Sequence, residues 1–145
     1  MKMPSMRETL LSIFAADEPD YDRAVALGTA ALPTIAEMID EEPHRAAAAV
    51  YVAGQIPAHE SLEVIARAAR REHPLVRANA AGALRDWATH PECADDLDAA
   101  FEIVAPLLDD ADPSVRKFAH RALAVLPAHG SAVPDSRATI PRLRR

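Results

Sequence analysis

The chain has 145 residues, half of them apolar but only 4% aromatic, with 16 Lys and Arg against 22 Asp and Glu. That length suits one domain with a continuous core, and the abundance of alanine, small and strongly helix-forming, favours an all-α fold and argues against a long sheet. A net charge of −6 speaks against a general nucleic-acid binder, the lone Cys93 excludes an internal disulfide and makes a poor metal site, and no apolar run nears the roughly 20 residues of a spanning helix, so no membrane association is expected and the cytosol is the expected compartment.

Ser5-Met6-Arg7-Glu8 has the form of a capping box, which predicts a helix to about Ala16 with Leu10, Leu11, Ile13 and Phe14 inward. Asp17-Glu18-Pro19 stops it and opens a second helix through Tyr21, Val25 and Leu27 to about Ala31, with Gly28 as a weak point or a place of close approach. Leu32-Pro33-Thr34 starts a short helix that turns Ile35, Met38 and Ile39 inward and ends at Asp40-Glu41-Glu42. Pro43 opens the next, which ends between Gly54 and Pro57; His59 to Glu72 forms another, with Glu63 and Arg67 spaced as an exposed pair. Pro74 begins a helix whose apolar series Val76, Ala80, Ala83, Leu84 continues to Trp87. After His90-Pro91-Glu92 a longer helix is expected from Ala94 to Leu108, kinked at Pro106. Asp112-Pro113 opens the last, ending near Leu126. The count is eight helices in four hairpins.

Residues 128–145 are rich in breakers and are expected to form a tail with little regular structure. All 22 acidic residues precede Arg137, whereas Arg137, Arg142, Arg144 and Arg145 crowd the last stretch beside Ile140 and Leu143. Such a segment should be drawn onto the acidic body, in cis or on a second copy as weak self-association, and should not be needed for folding.

Three of the predicted helices open alike. Asp112-Pro113-Ser114-Val115-Arg116 is matched by His73-Pro74-Leu75-Val76-Arg77 and, more faintly, by Glu42-Pro43-His44-Arg45, which places Arg45, Arg77 and Arg116 32 and 39 residues apart. The chain resembles HEAT-like repeat proteins over roughly residues 32–127, particularly the short bacterial kind that includes phycobilin-lyase-type repeats. The resemblance implies an α-solenoid of about four helical hairpins over 1–127. It also implies a structural role for Arg45, Arg77 and Arg116, bonded to acids at neighbouring turns, with Glu41, Glu72, Asp110 and Asp112 as candidates. Tetratricopeptide and ankyrin signatures are absent.

A search for chemistry finds no phosphate loop, no Gly-x-Ser-x-Gly, no His-Glu-x-x-His and no calcium loop, so neither a catalytic centre nor a cofactor is expected. The predicted second helices carry Arg45, Arg77, Arg85, Arg116, Lys117 and Arg121 against the single acid Asp86. In a HEAT-like stack these helices line the concave side. The leading expectation is therefore a non-catalytic scaffold that holds a protein with an acidic surface through Arg85, Lys117, His120 and Arg121. Two alternatives stand beside it: nucleic-acid binding in a basic groove, as in HEAT-like proteins that remove alkylated bases, and a role as an enzyme's accessory subunit, as in the phycobilin lyases.

Overall fold

The computed structural model describes residues 2–126, and every regular element among them is helical. Eight α-helices follow in order: α1 (Met6–Ala15), α2 (Tyr21–Ala26), α3 (Leu32–Met38), α4 (Pro43–Gln55), α5 (His59–Ala69), α6 (Pro74–Ala88), α7 (Leu97–Val104) and α8 (Pro113–Val125). Short 3-10 segments occupy Gly28–Ala31, Pro91–Asp96 and Ala105–Asp109. The tail, with Arg137, Arg142, Arg144 and Arg145, lies outside the described residues.

Local chemistry explains most of the starts. At α1 the capping box closes in both directions: Ser5 Oγ accepts from the Glu8 amide at 3.1 Å, and Glu8 Oε1 accepts from the Ser5 amide at 2.8 Å. Pro43, Pro74 and Pro113 each take a first helical position, where the missing N–H has no intrahelical partner to lose. Before each proline stands a side-chain cap. Glu42 accepts from His44 and Arg45, Asp112 from Ser114 and Val115, and at α6, where no acid is present, His73 Nδ1 accepts from the Leu75 amide at 3.1 Å.

The helix expected from His59 to Glu72 ends at Ala69, and two others differ more from expectation. The second helix starts later and stops earlier: Asp20, accepting from the Arg23 amide, is its cap, and Gly28 ends it by taking the left-handed conformation at φ +70°. Nothing approaches Gly28 closely, so it terminates the helix and does not serve packing. The long helix expected from Ala94 to Leu108 is divided into a 3-10 entry, α7 and a 3-10 exit from Ala105. Pro106, which cannot donate a backbone hydrogen bond, sits at the start of that exit and removes one rung of the α-helical ladder.

The helices pack in two layers. In one, α4 lies between α2 and α6, and α6 lies between α4 and α8; in the other, α5 lies between α3 and α7. One core joins them, including Ile35, Met38, Ile39, Val50, Ile65, Leu84, Trp87, Val104 and Val115. Trp87 is fully buried, and its Nε1 donates to the Ala58 carbonyl in the α4–α5 turn at 3.0 Å. The α4–α6 contact rests on small residues: a Cβ added at Gly54 would lie 2.6 Å from the Ala83 carbonyl oxygen. Close approach therefore belongs to Gly54. Among the described residues no helix is long and apolar enough to cross a membrane.

Candidate functional site

The three motif arginines turn toward the ends of helices. Arg77 reaches across to the next turn, its Nε and Nη2 bonding both carboxylate oxygens of Asp110 at 2.8 and 3.0 Å, while Nη1 donates to the carbonyls of Arg71 and Glu72. Both partners are mostly covered, at 17% and 11% side-chain exposure. The hydrogen bond from Arg77 holds the Asp110 carboxyl below the usual aspartate range and raises the guanidinium in return. Asp110 also accepts from the Asp112 amide, and Arg116 Nη1 donates to the Asp110 carbonyl at 2.7 Å, so one turn gathers both arginines. Arg45 donates to Glu41 at 2.9 Å, and Arg7 meets the other oxygen at 2.6 Å. Burial works to raise the Glu41 pKa, but the hydrogen bonds from Arg45 and Arg7 outweigh it and the net direction is down.

Other long side chains tie the layers in ways that spacing along one helix does not reveal. Arg67 bonds Asp40 in the α3–α4 turn instead of its helical neighbour Glu63, and Arg71 donates to the carbonyls of Ile39 and Glu41.

The caps set the register of the second helices. Counted from Glu42, His73 and Asp112, the second, sixth, ninth and thirteenth helical residues are His44, Ala48, Tyr51 and Gln55; Leu75, Asn79, Gly82 and Asp86; and Ser114, Phe118, Arg121 and Val125. None of the twelve is buried. They form one face, and Gln55 donates to Asp86 at 2.9 Å between matching positions of adjacent helices. By this register Arg45 matches Val76 instead of Arg77, one residue from the alignment that the arginines suggest.

Arg85, Lys117, His120 and Arg121 do not share this face. Only Arg121 lies on this face, with its guanidinium 5.4 Å from the Phe118 ring centroid. Lys117 and His120 occupy the positions of Ala78 and Ala81, which are buried in α6, on the flank that meets the following helix. In α8 that flank is exposed. Arg85 sits at the Gly54 position on the same flank, away from the open face.

The open face itself is aromatic and sparsely charged. Tyr21 of α2 meets Tyr51 edge-on with centroids 5.2 Å apart, and Phe14 stands behind Tyr21 at 6.1 Å. Beside them Leu75, Asn79, His44 and Ala48 shape a shallow depression of about 470 Å³. Tyr51 is 40% exposed, and neither tyrosine hydroxyl has a hydrogen-bond partner among the described residues. A Cβ at Gly82 would meet nothing within 4 Å, so the middle of the face is open. Reading the sequence from its basic residues passes over this strip; counting from the caps is the signal that finds it.

Comparison with protein-family models, with curated proteins and with solved structures finds no match. The site's chemistry stands on its own residues. Among the described residues no group of three His, Cys, Asp or Glu side chains could hold a metal ion. Cys93 is buried, and burial first, then Glu92 and Asp96, pushes its thiol up to about 11, far from a reactive thiolate at neutral pH.

Proposed function

We propose that this chain is a HEAT-like α-solenoid scaffold that binds a protein partner through the open face of its second helices. The single observation that carries the reading is the aromatic face: Tyr21 on α2 meets Tyr51 on α4, and Phe118 takes the same face on α8, with Leu75 on the intervening α6. Tyrosine is enriched where binding energy concentrates, because it offers apolar area and a polar tip at low entropic cost. The repeat reading is supported by the three capped Pro helices lying side by side and by the Arg77–Asp110 tie between consecutive turns. Arg45, Arg77 and Arg116 serve those turns, so the face is left with too few cations to favour phosphate backbones.

The test is affinity purification with the native protein and with a Tyr51→Ser/Phe118→Ser variant, both checked for helical circular dichroism. A partner that copurifies with the native chain alone, and that on titration binds the variant more weakly by about 2 kcal/mol per removed ring, roughly 30-fold, supports the face. Retention of every partner by a folded variant would sink the proposal. Gel retardation with duplex or single-stranded DNA at low salt is expected to show no complex.

A further inference from the structure

The opposite layer has a groove of its own. Between α5 and α7 lies a depression of about 440 Å³ with Leu62, Ala66, Ile103 and Leu107 on its floor and Glu63 and Glu102 on its rims. Among the described residues that line it the basic side chains are Arg70 and His59, and His59 stands at one end, 3.3 Å from Asp96. Neither Glu63 nor Glu102 has a partner among the described residues. The chain around α7 is uniformly acidic: no Lys or Arg occurs between Arg85 and Arg116, whereas Glu92, Asp95, Asp96, Asp98, Glu102 and Asp109 do.

We propose that residues 137–145 of this same chain occupy the α5–α7 groove, seating Ile140 and Leu143 on its apolar floor and bringing Arg142, Arg144 and Arg145 to the acids of α5 and α7. Charge complementarity selects the occupant, because this segment holds four arginines and no acid while the sequence around α7 holds acids and no Lys or Arg. Reach permits it. α7 and α8 are joined at the Asp110–Asp112 turn, so Leu126 at the far end of α8 lies toward the start of α7, where His59 and Asp96 mark the mouth of the groove. The fourteen residues from Leu126 to Ile140 can extend about 45 Å, against a groove of about 16 Å along α5. The open aromatic face stays free for a partner, so this inference does not depend on the function proposed above.

A nitroxide placed at Ala138→Cys in the full chain tests the docking by paramagnetic broadening of backbone amides. Cys93, buried and with its thiol at about 11, stays unlabelled. The amides of Ala66, Glu102 and Ile103 are expected to lose more than half their intensity. They should recover it in an Arg142→Glu/Arg144→Glu/Arg145→Glu variant and in salt of about 0.5 M, where the screening length falls well below its physiological value. Adding Glu63→Lys/Glu102→Lys to that variant should restore the broadening, a result that mere disruption cannot produce. Broadening centred on Tyr51 and Phe118, broadening nowhere in α5 and α7, or broadening seen only between labelled and unlabelled molecules in a mixture would overturn the proposal.

Discussion

Between α4 and α6 the backbones come so close that Gly54 has no room for a methyl group, whereas between α5 and α7 the separation leaves a groove of about 440 Å³. The difference follows from composition. Where α4 meets α6, Gly54 lies against the backbone and Cβ of Ala83, and small side chains let helix axes approach. Between α5 and α7 stand instead Glu63 and Glu102, with Arg70 just past the end of α5, long solvated side chains at the edges of the groove. One layer is joined by contact and the other by charge at its turns. The joined layer offers a flat aromatic face, and the separated one offers a channel.

The most direct way to break this contrast is Gly54→Val. Its side chain would drive into the Ala83 backbone, and a loss of about 3 kcal/mol in urea denaturation is expected, with no change in the slope if the fold is kept. Arg77→Ala should come next, at about 2 kcal/mol, because it leaves Asp110 and the carbonyls of Arg71 and Glu72 without their shared donor in a mostly covered turn. An Arg77→Ala loss no larger than that of an exposed arginine such as Arg70→Ala would show that the turn is not held by this residue.

The same tie predicts a pH dependence with a definite sign. Asp110 has its folded pKa depressed by Arg77, so its contribution is present above the ordinary aspartate value of about 3.9 and is lost as the pH falls through the lower folded value. Stability of the native chain should drop on acidification through that window, and an Asp110→Asn variant, less stable at neutral pH, should show a shallower drop. The smallest effect has the opposite sign. Gly82→Ala fills open space in the interior of α6 and should add about 0.5–1 kcal/mol, so two glycines in adjacent helices respond in opposite directions to a methyl group.

Much of this fold is legible in the sequence because its helix starts are written locally. Ser5 with Glu8, and Pro43, Pro74 and Pro113 behind their caps, fix where helices begin, and apolar spacing fixes the inward set Ile35, Met38, Ile39 and Trp87. The destinations of long side chains are not written that way. Arg67 has Glu63 one helical turn before it, yet Asp40, distant in sequence, accepts its bonds, because the α3–α4 turn is brought against α5 by packing that no single helix encodes. The candidate site suffered from the same limit. Counting charges on the second helices identifies the layer but not which flank each cation takes, and a one-residue difference between the arginine and cap registers rotates a helix by about 100°. Gly28 and Gly54 show the limit for glycine: the sequence marks both as special, and only the packing tells a terminator from a contact.

Trp87 is the chain's one tryptophan, and its indole is sealed where α6 meets the α4–α5 turn. The molecule therefore carries its one indole at that joint, a probe that can be excited apart from the tyrosines. Emission reports the central joint, whereas circular dichroism weighs every helix equally. Among the described residues α2 and α8 each meet one neighbour of their layer, and helices at such ends are the first to fray. Ellipticity should accordingly begin to fall before the indole emission shifts red, and the gap between the two curves measures how far the ends melt while the centre is still closed.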